Sequence, residues 1–326
     1  MRYNLAKIFI FIFILSSNSQ NELYLKKIDS IKKNVLAYKI QDSIVFANAH
    51  FNIGFLYRKS FITDSSYYHY QKAEKIYRNR SVNLKLAQTL YGIAVIQKNE
   101  KDLIASELSS IEAVTLLEAL NESEEVLKLK SSIYNNLGLV FGELEQFDES
   151  FDYYKKSIAL TRQLEGGNQL NIIGIQNNLA LSYKKAKEYK LALDTFNEIL
   201  DNKDLEKNQP ELYSLILNNY AHTKFLSKDY DELPDLYLKA LKITDSVNPK
   251  GYNSIIVNQH LANYYDSKND KSNAIYYAYK AKEIAEQYSN DELLSSLLLL
   301  SEIEDGIKSS NHLKEYIKLS DSLQKV

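Results

Sequence analysis

Asn177-Asn-Leu-Ala-Leu-Ser-Tyr-Lys-Lys-Ala-Lys-Glu-Tyr-Lys-Leu-Ala-Leu193 is the stretch whose reading decides the fold. Leu179, Tyr183, Leu191, Phe196 and Leu200 recur at helical spacing, and the polar break Lys185 to Glu188 cuts the helix in two. Ala180 and Ala192 put small residues on both halves, where two helix backbones can come close. Outward from this stretch the same words return. Asn-Ile-Gly (52–54), Gly-Ile-Ala (92–94), Asn-Leu-Gly (136–138), Asn-Leu-Ala (178–180), Asn-Tyr-Ala (219–221) and His-Leu-Ala (260–262) end on small residues spaced 40, 44, 42, 41 and 41 apart.

Counting each small residue as position 0 exposes a register. Position +12 holds Ser66, Ser106, Ser150, Ala192, Leu233 and Ala274; position +16 holds Tyr70, Ser110, Tyr154, Phe196, Tyr237 and Ala278. Position +19 holds Ala73, Ala113, Ser157, Ile199, Ala240 and Ala281. This predicts two antiparallel helices per unit, close at the small residues, with an aromatic filling the space between them. Polar breaks at Ser227 to Asp229 and Ser267 to Lys271 part the paired helices. Longer ones at Glu165 to Asn168, Asp201 to Pro210 and Asp245 to Gly251 part the units. Pro210 and Pro249 fall where a first helix should begin.

The composition agrees. The 326 residues contain 9 Gly and 3 Pro, too few for the tight turns of a β-sandwich or barrel. With 45% hydrophobic residues the chain can bury a core. Forty basic against 42 acidic residues give a net charge of −2, which argues against a nucleic-acid surface. The absence of Cys excludes disulfides, thiol nucleophiles and Cys-ligated metals.

Residues 1–20 read as a secretory signal peptide: Arg2 and Lys7, an apolar run from Ile8 to Leu15, then Ser-Ser-Asn-Ser-Gln. The run is short of the about 20 apolar residues that span a bilayer. The alternative is a core strand opening a cytosolic domain. With the signal removed, a periplasmic or secreted chain with no membrane span is expected. Residues 21–46 (Leu23, Ile28, Ile31, Leu36) predict an amphipathic capping helix, 47–290 six repeats, and 291–326 a degenerate C-terminal repeat.

No catalytic or metal constellation emerges. The five His (His50, His69, His222, His260, His312) form no His-Glu-x-x-His, although His222 and His260 lie on first helices of adjacent units. Gly-x-Ser-x-Gly and the phosphate-cradling Gly-x-x-x-x-Gly-Lys are missing. Asp201-Asn-Lys-Asp-Leu-Glu lacks the Gly and terminal Glu of a calcium loop and reads as a linker. A non-enzyme without metal or cofactor is expected. In Tyr doublets such as Tyr67–Tyr68 and Tyr153–Tyr154 one ring is expected to pack between helices and the other to half-emerge, an aromatic stripe at helical spacing being mostly core.

The segment 177–193, with its five sister words, closely resembles the helix-A-to-helix-B signature of the tetratricopeptide repeat, and the resemblance runs from residue 47 to about 320. It implies an all-α, right-handed α-solenoid of antiparallel helix pairs. The period departs from the family: about 41 against about 34 residues, enough for one extra turn in each helix. In this the chain is similar to long-repeat kinesin light chains, to scaffolds that bind heterotrimeric G proteins, and to bacterial peptide-sensing regulators.

The resemblance also implies a site. In the family, positions −3 and +1 face a concave groove. Here −3 holds Phe51, Tyr91, Asn135, Asn177, Asn218 and Gln259; +1 holds Phe55, Val95, Leu139, Leu181, His222 and Asn263. Four amides in a row can pair with the backbone of an extended peptide, with apolar area from Phe55, Tyr91, Leu139 and Leu181. The alternative is that the amides bond only to neighbouring helices, and it is the stronger reading for Asn52, Asn136, Asn178 and Asn219. A carboxylate clamp needs Lys or Arg at those concave positions; cations stand instead one turn onward, at Arg58, Lys98 and Lys184.

An exported array of this kind is similar to the sensory regions of Bacteroidetes-type signalling proteins. Residues 301–306 and 313–325 resemble the stretch before their membrane helix. The expectation is a scaffold binding a peptide or protein segment, as the input of a longer sensor or as a free module, with a homodimer left open. The rival is a structural adaptor in envelope assembly that uses its convex face or edges.

Overall fold

The computed structural model describes residues 21–36, 43–164 and 169–323. Residues 1–20, read above as a signal peptide, lie outside the described residues. Every regular element among the described residues is helical. A lead helix over 21–31 runs into a π turn at Lys32–Leu36 and buries Ile28.

Helix pairs follow. Pair 1 is α1 (Ile44–Lys59) with α2 (Thr63–Asn79), and pair 2 is α3 (Asn83–Asn99) with α4 (Leu103–Glu118). Pair 3 is α5 (Glu124–Glu143) with α6 (Phe147–Arg162), and pair 4 is α7 (Gln169–Lys185) with α8 (Tyr189–Leu200). After the single turn α9 (Leu205–Asn208), pair 5 is α10 (Pro210–Leu226) with α11 (Asp235–Val247). Pair 6 is α12 (Tyr252–Ser267) with α13 (Lys271–Ala285), and pair 7 is α14 (Asn290–Ile303) with α15 (Gly306–Leu323). The chain divides into two compact units, unit 1 ending at Ile175 and unit 2 beginning at Gln176, inside α7.

In unit 1 the register becomes hydrogen bonds. Ser66, Ser106 and Ser150 at +12 each donate Oγ–H to the carbonyl at position 0, on Gly54, Ala94 and Gly138, at 2.7–2.8 Å. Further along, Ser131 Oγ meets Ser157 Oγ at 3.0 Å and Thr161 Oγ1 at 2.6 Å. In unit 2, Ser214 bonds the Ala240 carbonyl at 2.9 Å and the Thr244 hydroxyl. Contacts step backward along the first helix as they step forward along the second, so the pairs are antiparallel. The aromatics at +16, namely Tyr70, Tyr154, Phe196 and Tyr237, are buried.

The turn inside each of the first six pairs is also repeated. Position +7 is left-handed in all six: Phe61, Lys101, Glu145, Lys187, Lys228 and Asn269, with φ between 58° and 65°. In pair 2, Lys101 N–H bonds the Lys98 carbonyl and Asp102 N–H the Gln97 carbonyl, which closes a Schellman motif. Asp102 and Asp270, the residues that follow the left-handed position, then accept from the N–H three residues on and start the second helix. Only one of the six, Asn269, is a residue type that tolerates this conformation well; each of the others costs on the order of 1–2 kcal/mol. The docked helices on either side hold the turn.

Two expectations need correction. The extra residues of the long period do not lengthen both helices equally. First helices of pairs 1 to 6 run 16–20 residues, but α8 and α11 have 12 and 13. In pairs 4 and 5 the extra residues form 201–209 and 227–234, and the first of these, read as a linker, holds α9 with Leu205 buried. Pro210 is the first residue of α10 as expected, whereas Pro249 stands in the loop ahead of α12.

The crossing sets a test. A Cβ on Gly92 would lie 2.7 Å from Tyr70 Cζ, and one on Gly54 3.0 Å from Cδ1 of the same ring. The ring is wedged from both sides and cannot step away. We expect Gly92→Ala to lose about 1–2 kcal/mol, the overpacking cost outweighing the helical gain. Gly174→Ala, whose Cβ meets nothing within 4 Å, should gain about 0.5–1 kcal/mol. Thermal unfolding of the two variants checks the opposite signs.

Candidate functional site

The two units share the residues expected to line a groove, and each part is described in its own unit. In unit 1, Phe51 is half-buried against Tyr70, ring centroids 5.8 Å apart, with Lys85 Nζ over its face. Tyr91, Asn135, Val95 and Leu139 are half-buried. Phe55 is 38% exposed and carries Arg58 and Lys59 over its ring at 5.4 and 5.7 Å.

In unit 2 the amides turn sideways. Asn219 Nδ2 donates to Asn177 Oδ1 at 3.3 Å, and Asn218 Oδ1 meets His260 Nδ1 at 3.0 Å. Gln259 Nε2 donates to Ser296 Oγ at 3.0 Å. Asn218 is 1% exposed and Asn177 is buried too. The expected row of open amides is therefore corrected at these positions: helices one repeat apart bond Asn177 Oδ1, Asn218 Oδ1 and Gln259 Nε2, while the buried Asn218 Nδ2 is left without a partner. Leu181, His222 and Asn263 at +1 remain half-buried beside them and border solvent. The second row behaves similarly at two positions, Asn219 on Asn177 and Asn136 Nδ2 on Ser106 and Ser110.

The most concentrated chemistry in unit 2 surrounds His222 and His260. Their rings stack at 3.8 Å between centroids and 8° between planes. His222 Nδ1 faces the Tyr237 hydroxyl at 3.5 Å. Burial, then the Lys184 charge, pushes His222 down to about 3. Burial, with His222 and Lys184, also lowers His260 well below the ordinary imidazole value. Burial alone takes Lys184 down to about 8. Sequence spacing placed the two imidazoles on adjacent first helices; it did not show Lys184 beside them.

A second imidazole pair was missed. His50 and His69 are buried in pair 1 with Nδ1 atoms 2.8 Å apart, one donating and the other accepting. Burial is the main cause that takes both to about 4. The antiparallel register contained the signal, since 0 opposite +12 puts −4 opposite +16, next to His69 at +15. His312 proves to have a carboxylate partner, Glu304 Oε2 at 2.9 Å, with the Tyr279 hydroxyl at 3.1 Å from its Nε2. Among the described residues no group of three or more His, Asp or Glu is placed to hold a metal ion. No helix of the described residues is long and apolar enough to cross a membrane.

Four imidazoles held neutral make stability depend on pH. The unfolded chain takes up their protons near pH 6.5, while in the folded chain His50, His69 and His222 refuse them until about pH 4 or below and burial lowers His260 in the same direction. The unfolded state thus binds more protons in between, and stability falls as pH falls. His50, His69 and His222 each contribute about 1–2 kcal/mol of loss by pH 5, and His260 acts with the same sign. Denaturant unfolding from pH 7 to pH 5 should show this decline, and His222→Asn with His260→Asn should make it shallower. An equal slope in the double variant would contradict the assignment.

Comparison with known proteins agrees with this geometry. Residues 129–204, which span most of pair 3 and all of pair 4, match the tetratricopeptide repeat family. The anaphase-promoting complex subunit CDC16 of Saccharomyces cerevisiae is 31% identical over 108 residues, covering 33% of this chain and 12% of that protein. The chain thus spans about an eighth of the curated relative it matches. The apo form of RapI superposes with TM-score 0.66 at 14% identity, covering 94% of this chain and 86% of that one. The Rap conjugation regulator of plasmid pLS20, solved with a Phr peptide, gives 0.54 at 14% identity, covering 86% and 76%. Repeated words, paired helices joined by repeated turns, a family match over residues 129–204 and a shared fold support a tetratricopeptide-repeat protein.

Proposed function

We propose that this protein is a scaffold whose helix-A face binds a peptide or protein segment. One observation carries the reading. In unit 2 the +1 residues Leu181, His222 and Asn263 lie half-buried at intervals of 41 residues, above the hydrogen-bonded layer of Asn177, Asn218, Asn219 and His260. Such a face is rigid beneath and open on top, so a ligand meets side chains already positioned and loses little to ordering them. The regulator solved with a Phr peptide supports the same use of the fold. In unit 1 the matching surface comprises Phe55, Tyr91, Asn135 and Leu139.

Selection from a random peptide library tests this. Leu181→Glu with Asn263→Glu changes the half-buried positions and leaves the amide layer intact. Peptides selected on the wild-type chain should bind this variant at least about tenfold more weakly, with melting unchanged within a few degrees. Asn177→Ala or Asn218→Ala would confuse loss of binding with loss of the stack.

The adaptor reading has one observation in its favour. Ile104, Leu108 and Ile111 stand at i, i+4 and i+7 on α4 and are exposed, Leu108 by 66%. If Leu108→Glu removes binding and the Leu181/Asn263 variant keeps it, the outer face is the functional one.

We further propose that residues 1–20 direct export and that the scaffold serves as the periplasmic or secreted input module of a signalling protein. The support is the basic start, apolar run and polar exit of that segment. Expression of the whole chain in a Gram-negative host should yield a periplasmic product whose mass has lost about 20 residues. A cytosolic product that retains Met1 to Gln20 would end the export reading.

A further inference from the structure

We propose that the cavity in pair 1 of unit 1, lined by Phe46, His50, Tyr68, Lys72 and Lys75, binds a small organic phosphate monoester. Its residues stand at −8, −4 and from +14 onward, none of them at −3 or +1. The proposal is therefore independent of the helix-A binding face.

The cavity encloses about 510 Å³, a volume ordinary for a small-molecule site. Phe46 and the buried His50 come from α1; Tyr68, Lys72, Lys75 and Ile76 come from α2, and Arg80 stands just past its end. No carboxylate stands among the described residues that line it. Lys72 Nζ lies over the Tyr68 ring, 5.3 Å from its centroid. Neither Lys72 nor Lys75 has an acidic partner among the described residues. His50 Nδ1 is taken by His69 at 2.8 Å, which leaves Nε2 as the nitrogen of that ring open to a ligand.

A cavity in unit 2 shows which part of this arrangement belongs to the repeat and which to pair 1 alone. Pair 6 encloses about 380 Å³ at the same register, with Asn258 at −4, Tyr276 at +14, Lys280 at +18 and Ile284 at +22. Lys280 Nζ again lies over the tyrosine, 5.8 Å from the Tyr276 centroid. Of the six pairs, only these two combine Tyr at +14 with Lys at +18. They part at +21, which is Lys75 in pair 1 and Glu283 in pair 6, and Asp245 adds a second carboxylate to the pair 6 cavity. Two lysines face two carboxylates there; in pair 1 the lysines face none. Charge, at a shared register, is what sets pair 1 apart.

That charge selects the ligand. A phosphate monoester carries about −1.5 to −2 at pH 7 and three acceptor oxygens, enough to pair both ammonium groups. A monocarboxylate would leave one of them uncompensated. Lysine meets phosphate as a point charge on a flexible stem, so two of them one turn apart can close on one phosphoryl group. Phe46, Tyr68 and Ile76 offer apolar surface to the organic part.

Side-chain NMR of the full chain above pH 7, at constant ionic strength, tests this with phenyl phosphate, inorganic phosphate, benzoate and phenol. Phenyl phosphate should shift the His50, Lys72 and Lys75 signals saturably, more tightly than inorganic phosphate and at least about tenfold more tightly than benzoate or phenol. Bound phosphate opposes the Lys72 charge at His50, so the imidazole should titrate above its free value of about 4. Lys72→Gln should weaken binding at least about fivefold. Lys75→Glu, which copies Glu283 of pair 6, should abolish it, and Lys280→Gln should leave it unchanged. Gln matches Lys in helix propensity, so melting of the two Gln variants should stay within a few degrees of wild type. Absence of a saturable shift with phenyl phosphate overturns the proposal, as does benzoate binding as tightly or Lys75→Glu binding as wild type does. Equal affinity for the two phosphates would reduce the site to one for the bare ion and overturn the organic ligand.

Discussion

The close approach of two helix backbones at the small residue of each pair is the constraint on which the rest depends. At Gly54, Ala94 and Gly138 the carbonyl is near enough to accept from a Ser hydroxyl twelve residues later. That bond lets a polar side chain sit in the core without an unmatched group. The Tyr70 ring then fills the space, bounded by Gly54 of its own pair and Gly92 of the next. One ring thus sets the spacing within a pair and between pairs. A larger residue at either glycine would disturb both distances together.

The helix-pair architecture was legible because it depends on residue size at fixed intervals, and size is visible in a sequence. Gly54 to Ala262 at position 0 and the serines at +12 announced the crossings, and the crossings are there. Turn conformation was not legible, because the left-handed position is occupied by Phe61, Lys101, Glu145, Lys187 and Lys228. None of these favours that conformation by itself; the docking of flanking helices imposes it. Linker lengths failed for a related reason. Residues 201–209 look like a polar spacer until Leu205 finds a buried place, and burial is a tertiary property.

The site was legible in its positions and not in its bonds. Asn177 and Asn218 occupy the register expected of groove residues, yet the sequence cannot say whether an amide faces a ligand or a neighbour. The neighbours decide: Asn219 and His260 stand 42 residues later and bring matching donors. A row of amides open to solvent and a row bonded from helix to helix have the same spacing. Lys184 looked like edge charge for a similar reason, since its counterparts Arg58 and Lys98 share the register. Only the packing of His222 and His260 against each other makes its setting different.

Both units bond within pairs and between them, as Ser214 in pair 5 and Asn136 on Ser106 and Ser110 show, but in different proportion. In unit 1 the three +12 serines bind first helix to second within a pair. In pairs 4 and 6 of unit 2 the same position is Ala192 or Ala274, fully buried and unable to bond. Polar bonding there shifts to the first helices of successive pairs, through Asn177, Asn218, Asn219, Gln259 and His260. A bond within a pair stiffens that pair alone; bonds between first helices fix the separation of the residues along the helix-A face. An extended chain lying across several repeats requires its contacts at constant separation, because its own length per residue is nearly constant. In unit 2 the buried polar layer therefore sets the separation of the half-buried residues above it.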